Sequence, residues 1–295
     1  MANPSPQAVR SPYLVPFDGS FRIANAPTAK PKDAPGKQER AEKLAEHVEA
    51  IAASQEALYA EDKHSILLVF QAMDAAGKDG TIRAVASGLN PAGCQVVSFK
   101  QPSKESLDHD FLWRVAKRTP ERGRIGIFNR SHYEEVLVVR VHPEYLTGQR
   151  LPAKEINKKF WKGRYESLRE FEQHLARNGT VVLKFFLNVS REEQRERFLA
   201  RIDTDEKNWK FNAGDVRERK LWDRYMEAYE EALNETSRPH APWYAIPADS
   251  KSFMRMTVAD IVRRTIENLD LEFPVLSKEE RREMHALREE LERDD

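Results

Sequence analysis

The chain has 295 residues, with 48 Lys plus Arg against 48 Asp plus Glu, and its zero formal net charge removes the overall basic signature of a dedicated nucleic-acid binder. At 33% charged and 40% hydrophobic residues it is polar yet globular, because Val, Ile, Leu and Phe gather in short runs, which excludes global disorder. The single cysteine, Cys94, allows no intramolecular disulfide, and no spaced Cys and His set suggests structural zinc, so a reducing cytoplasm is the expected location.

Residues 1–35 carry Pro4, Pro6, Pro12, Pro16, Pro27, Pro31 and Pro35 with little periodicity, the pattern of an extended arm on the surface or on a neighbouring subunit. No long apolar stretch follows a basic start, so the beginning does not read as a secretory signal. From Lys37 onward, Leu44, Val48, Ile51, Gln55 and Leu58 recur at spacings of three and four, which predicts a long amphipathic helix to about Ala60. Short apolar, β-branched runs follow at 65–70, 95–99, 124–128 and 181–187, with a last one at 243–246. Helical patterns at 107–118, 156–175 and 252–269 alternate with them. This alternation predicts an α/β fold of three layers, α/β/α, around a central parallel sheet, with ligands beyond the carboxyl ends of the strands. Runs such as 65–70 and 136–139 are far too short to cross a bilayer, so no membrane partner is expected.

Two segments depart from the alternation. Residues 201–215 are polar and irregular between two helices, the composition of a mobile lid. Residues 277–295 are dense in Glu and Arg with sparse Met284, Leu287 and Leu291, a solvated helix with one narrow apolar stripe.

Directly after the first strand stands Gln71-Ala72-Met73-Asp74-Ala75-Ala76-Gly77-Lys78-Asp79-Gly80-Thr81-Ile82. A strand, a tight turn of small residues and a helix start aim several backbone N–H groups at one anion, with Lys78 able to reach its outer oxygens. Compared with the standard P-loop, Ala72 replaces the first glycine and Asp79 occupies the Ser/Thr position that touches Mg²⁺. Asp74 could supply the missing metal ligand, because a carboxylate is a hard donor, or it could simply cap the turn. The plain alternative for the whole motif is an ordinary strand-to-helix turn with a solvated lysine.

The third strand ends in Phe128-Asn129-Arg130-Ser131-His132-Tyr133-Glu134-Glu135. From a neighbouring parallel strand, Arg130 could point its planar fork at the phosphate that Lys78 holds, with Glu134 and Glu135 near the metal or the acceptor. Alternatively, 129–131 merely cap the next helix. Asn129 stands where a metal-binding acid is common. Lys100, Arg114, Arg197, Arg201, Lys207, Lys210, Lys251 and Arg255 form a loose basic series, which concentrates a polyanion if it converges and means only solvated ion pairs if it does not. His109 and Asp110 precede Phe111, Leu112 and Trp113, where packing is the main expected role.

Three motifs in order, Met73-Asp-Ala-Ala-Gly-Lys-Asp-Gly-Thr-Ile82, Phe128-Asn-Arg-Ser-His-Tyr-Glu134 and Lys207-Asn-Trp-Lys210 with Asp215, resemble the polyphosphate kinase 2 family. Pro102-Ser103 with Glu105, His109-Asp110-Phe-Leu-Trp-Arg114, and Ala241-Pro242-Trp243 with Asp249 and Lys251 support it. The resemblance covers about 36–270, which marks a catalytic domain there, with a lid at about 197–225 and a charged helix over 271–295. It implies a P-loop kinase-like fold with a helical lid, and Mg²⁺-dependent, reversible transfer of phosphate from inorganic polyphosphate to AMP, ADP or both. Adenine nucleotides are implied, with guanine nucleotides left open. It further implies Asp74 as the metal residue, Lys78 and Arg130 at the transferring group, and Arg197, Arg201, Lys207 and Lys210 on the lid side. Ala75, Ala76, Gly77, Asp79, Gly80, Thr81, Lys100, His109, Asp110, Arg114, Asn129, Tyr133, Glu134 and Lys251 complete the implied phosphate and nucleotide contacts. A homo-oligomer, dimer or tetramer, is implied as well. Many relatives carry Gly-Arg-Asp where this chain has Ala72-Met73-Asp74, and Phe-Asp-Arg-Ser-Trp-Tyr-Asn-Arg over 128–135. Asn129 with Glu134 resembles the branch that phosphorylates AMP, or both AMP and ADP. Two other readings stay open from the residues alone: an ATP-dependent nucleoside monophosphate kinase, and a non-catalytic module binding phosphate or nucleic acid.

Overall fold

A computed structural model of the chain describes residues 8–152, 155–209 and 211–293. Pro4 and Pro6 of the arm, Lys210, and Asp294 and Asp295 of the tail lie outside the described residues.

Five strands make one parallel sheet: β1 (Ser65–Gln71), β2 (Cys94–Ser98), β3 (Ile125–Asn129), β4 (Thr180–Asn188) and β5 (Trp243–Pro247), in the order β2-β3-β1-β4-β5. β1 and β4 lie inside the sheet and every one of their residues is buried, which is why both read as continuous apolar runs rather than alternating ones. Helix α1 (Lys37–Glu61) buries Val48, Ile51, Gln55 and Leu58, the stripe its spacing predicts, and ends where Asp62 turns left-handed. After β1 comes α2 (Lys78–Val85).

The segment after β2 departs from expectation. In place of one helix over 107–118 there are two short ones, α3 (Lys104–Asp108) and α4 (Trp113–Ala116). The break is set by Asp110, whose Oδ1 accepts from the backbone N–H groups of Leu112 and Trp113 at 2.8 and 3.2 Å and starts α4 afresh.

Past β3 run α5 (Val138–Val141) and α6 (Lys158–Arg177), the latter starting two residues after the predicted 156 because Asn157 caps it. Beyond β4 stand α7 (Arg191–Ile202), α8 (Asp205–Asn208), α9 (Ala213–Arg219) and α10 (Trp222–Thr236). The described residues of 201–215 therefore carry more regular structure than their polar sequence suggests. Asn208 Nδ2 donates to the carbonyls of Arg201, Ile202 and Thr204 at 2.8, 2.9 and 3.0 Å, tying α8 back onto α7. Helix α11 (Lys251–Glu267) follows β5 and packs along α1 and α2, while α6 and α10 pack together, so helices flank the sheet as predicted. α12 (Lys278–Leu291) opens with a capping box between Ser277 and Glu280 and leaves Met284, Leu287 and Leu291 exposed.

Residues 13–15 of the arm lie on the chain's own sheet edge. Val15 N–H donates to Trp243 O at 2.9 Å and Ala245 N–H to Tyr13 O at 2.8 Å, and Val9 and Val15 are buried. The physical reason is the free edge of β5, whose unpaired backbone groups the arm satisfies. Among the described residues, no helix is long and apolar enough to cross a membrane.

Candidate active site

Between Gln71 and Lys78 the chain turns sharply beyond the carboxyl end of β1. Gly77 takes φ 110°, and a β-carbon there would lie 3.1 Å from Met254 Cε, so only glycine fits without strain. Ala75 at φ 62° and Arg130 at φ 63° are two of the five non-glycine residues with positive φ among the described residues. Such conformations cost about 1 kcal/mol or more each and gather at functional sites, so finding both beside one turn marks the place. Lys78 Nζ folds back over the turn, donating to Ala72 O at 2.8 Å and Met73 O at 3.5 Å. Burial first, then the positive charge of Arg130, pushes the Lys78 ammonium down to about 8, against the pull of Asp74, Glu134 and Asp79. Thr81 faces inward, its hydroxyl donating to Gly77 O at 3.0 Å at the start of α2. Gly80 leaves room for Arg255, whose Nη2 would stand 2.8 Å from a β-carbon there.

β3 runs beside β1 with Asn129 level with Phe70, so its end opens onto the same turn. Arg130 donates Nη2 to Asp74 Oδ1 at 2.7 Å and Nη1 to Glu134 Oε2 at 3.1 Å. Glu134 foremost, with Asp74 in support and burial opposing, holds the guanidinium pKa above its ordinary value. Asn129 Nδ2 donates to Asp79 Oδ1 at 2.6 Å. The acid missing from β3 thus stands opposite it, on the first turn of α2.

Arg197, expected on the lid side, is a clamp beneath the turn instead. It is 8% exposed, and its Nη1 donates to Ala75 O and Ala76 O at 3.1 and 2.6 Å while Nη2 donates to Ala248 O at 2.7 Å. Arg201 reaches Asp215 at 3.3 Å. Burial first, and the charge of Asp74 next, raises the Asp215 pKa against Arg201, which places this acid of α9 in the field of the turn. Lys207 on α8 and Lys251 at the head of α11 are exposed. Partial burial, then Arg197, lowers the Lys251 pKa, with Arg255 and Lys207 among the further charges acting on it, so these four of the basic series lie within one another's field.

The residues after β2 form a different border. Arg114 donates to Lys100 O at 2.7 Å and covers the Phe99 ring at 5.6 Å, while His109 packs on Trp113 with ring centroids 3.9 Å apart. The Lys100 and Asp110 side chains are exposed, and the Asp110 carboxylate is used as a cap. Between this border and the β3 turn lies an open cleft, lined among others by Pro102, Phe111, Arg114, His132 and Gln149. Tyr133 is not brought to it: the side chain is fully enclosed, with its hydroxyl bonded in the interior. Sequence reasoning missed Gln194, whose Nε2 donates to Asp74 O at 2.9 Å, and the buried pair Glu172 and Lys184. A lysine inside the apolar run Val181 to Leu187 was the available signal for the latter.

A divalent cation fits these residues in one way. Among the described residues there is no cluster of three or more His, Cys, Asp or Glu side chains that would hold a metal alone. Mg²⁺ needs none, because it is typically held by one or two carboxylates together with substrate phosphates and waters. Asp74 meets that requirement, with Oδ1 on Arg130 and no hydrogen-bond donor on Oδ2 among the described residues.

The comparisons with known proteins agree with this geometry. The family model of polyphosphate kinase 2 matches residues 35–274. An ADP-polyphosphate phosphotransferase of Rhodopseudomonas palustris is 55% identical over 251 residues, 85% of this chain and 87% of that one. An AMP/ADP-polyphosphate phosphotransferase of Meiothermus ruber is 47% identical over 263 residues, 89% of this chain and 94% of that one. The crystal structure of polyphosphate kinase 2 from Arthrobacter aurescens superposes with a TM-score of 0.82 at 35% identity, covering 90% of this chain and 93% of that one. With a five-stranded parallel core, a lysine-bearing turn at its centre and an arginine delivered to that turn from the next strand, the chain belongs to the polyphosphate kinase 2 family.

Proposed function

We propose that the protein moves a phosphoryl group from inorganic polyphosphate to AMP and to ADP, reversibly and with Mg²⁺, in the cytoplasm. The observation that carries this reading is the convergence of Lys78, Asp74, Arg130 and Glu134 at the ends of two adjacent strands, beside an open cleft. Phosphoryl transfer asks little covalent chemistry of the protein and much alignment and positive charge at the equatorial oxygens. Lys78 and Arg130 supply that charge. Asp74 would hold the cation, which when bound neutralises phosphate oxygens and aligns donor with acceptor. The backbone N–H groups of Ala75–Lys78 would cradle the donor chain, and Lys207, Lys251 and Arg255 would receive its continuation. The acceptor would enter from the cleft lined by Arg114, with Glu134 beside its phosphate. A nucleotide phosphate is already anionic, so no strong general base is required. Closure of α8 and α9 would keep water from the transferring group.

Purified protein mixed with Mg²⁺, polyphosphate and either AMP or ADP, with nucleotides separated over time, tests this. AMP should proceed through ADP to ATP, and chelation of Mg²⁺ should stop it. ADP consumed with AMP untouched would remove the second acceptor. Transfer from ATP with polyphosphate inert would overturn the donor. We also expect a homo-oligomer joined through the exposed residues Phe273, Val275 and Leu276 and the α12 stripe; one monomeric peak in light scattering across concentrations would dismiss it.

A further inference from the structure

Beneath the β3 turn the interior holds a charged cluster with no direct part in the site. Glu172 on α6 and Lys184 on β4 are 1% and 0% exposed, and Lys184 Nζ donates to Glu172 Oε2 at 2.5 Å. Lys184 also donates to Tyr133 Oη at 2.8 Å and Thr236 O at 2.9 Å. Glu172 Oε1 accepts the Tyr133 hydroxyl at 2.8 Å and faces His132 Nε2 at 3.2 Å. Trp243 walls the cluster, edge-on to Tyr133 with centroids 4.7 Å apart, its indole N–H donating to Thr236 Oγ1 at 2.9 Å.

Stability alone does not account for it. A buried ion pair is often no better for stability than well-packed apolar residues of similar volume, because desolvation of both charges offsets their attraction. What distinguishes this pair is what it holds. His132 and Tyr133 fill the single turn between Arg130 and Glu134. The backbone of that turn hangs on Ser131, whose hydroxyl takes the Tyr133 N–H and the Gln71 amide, both at 3.1 Å. One side of the turn is gripped by Glu172, and the other presents Glu134 to Arg130. A rotation that released His132 and Tyr133 would carry Glu134 away from the guanidinium.

We propose that Glu172 and Lys184 are positioning residues, a buried ion pair that anchors His132 and Tyr133 so that the β3 turn holds Arg130 and Glu134 in their working arrangement. Burial lowers Lys184 to about 8 with Glu172 opposing. Although burial disfavours its charge, Lys184 and His132 hold Glu172 below the usual carboxylate range, so the two are charged together at neutral pH. The proposal rests on the proposed reaction for its turnover readout alone.

The test separates anchoring from packing. Glu172→Met or Lys184→Met alone leaves one buried charge uncompensated and should lower Tm strongly. The double variant Glu172→Met/Lys184→Met removes both charges and should regain a Tm within about 5 °C of the parent protein. Its kcat should nevertheless stay at least roughly tenfold down, the scale of losing an outer-shell partner, with KM for polyphosphate within about twofold because the basic side is untouched. Independently of any substrate, backbone amides of 133–137 should exchange hydrogen at least roughly tenfold faster in the double variant, with those of β1 unchanged. Tyr133→Phe keeps the ring and removes only the hydroxyl, and should lower kcat by about threefold or more at unchanged KM. A stable double variant with the parent's kcat and exchange rates overturns the proposal; should the double variant not fold, an unaltered kcat and unaltered exchange in Tyr133→Phe overturn it. If the parent protein itself transfers nothing from polyphosphate, the reaction has failed and the exchange comparison still decides the anchoring.

Discussion

The end of β3 and helix α7 each deliver an arginine to the turn at 72–77, and they deliver it in opposite ways. Arg130 meets two side-chain carboxylates, Asp74 and Glu134, either of which can give way to an incoming phosphate. Arg197 gives one carboxylate, Glu193, only its Nε at 2.8 Å, and commits both Nη atoms to the backbone carbonyls of Ala75, Ala76 and Ala248, which no ligand displaces. Carboxylate partners make a guanidinium available, whereas carbonyl partners make it part of the frame. The sequence set Arg130 beside Lys78 and left Arg197 in a loose basic series, and their partners show how differently the two are held. The sharpest way to break the contrast is Arg130→Ala or Lys78→Ala. Each should lower kcat by at least roughly a hundredfold, the loss expected for a preorganised charge donor, while Tm stays close to the parent's. Near-normal turnover in either folded variant would remove that residue from the site.

Arg197→Met should do the reverse. With the guanidinium gone, the carbonyls at the turn and after β5 lose their buried donor, and stability should fall by about 3 kcal/mol. Denaturant midpoints measure it. Activity per folded molecule should fall less than in Arg130→Ala, because the turn loses its brace and not its charge. Equal stability in the two variants would erase the distinction.

Much of the frame was legible because it follows from apolar patterning. β1 and β4 are buried on both faces, and their unbroken runs are what such burial requires. The turn at 72–77 was legible from its small residues and its lysine. Three features were not, and each depends on distant partners. The arm covers the β5 edge, which the local proline pattern cannot announce, because the pairing is with Trp243 and Ala245. The break between α3 and α4 turns on whether Asp110 caps a helix or interrupts one, a choice that local sequence leaves balanced. The family resemblance implies Tyr133 as a nucleotide contact, yet in the 3₁₀ turn its side chain swings inward toward Glu172. Proximity in sequence is a poor guide to facing wherever the turn geometry is not fixed by periodicity.

A pH profile sharpens the Arg130 side of the comparison. In the free enzyme Lys78 sits at about 8, so its positive charge is present below that pH and lost as pH rises through it. By about pH 9 roughly one molecule in ten retains the proton, so kcat/KM for polyphosphate should drop about tenfold per unit above 8. Bound polyanion favours the charged amine, so kcat at saturation should hold to higher pH. A kcat/KM profile flat from pH 7.5 to 9.5 would detach Lys78 from donor binding.

The smallest effects belong to the exposed cations of α8 and the head of α11. Lys207 and Lys251 stand in solvent, where charge acts through a screened field rather than through a fixed bond. Their contribution should therefore be shared, weak and dependent on salt. Lys207→Ala or Lys251→Ala should raise KM for long-chain polyphosphate about threefold at low ionic strength and leave kcat unchanged, consistent with steering and loose retention of a polyanion. Raising the salt toward 0.5 M should shrink the difference between variant and parent, since the Debye length falls from about 8 Å at physiological strength toward about 4 Å. A fall in kcat that salt leaves untouched would mean that one of these lysines touches the transferring group, and the boundary between a bonded β3 side and a screened side at α8 and α11 would have to move.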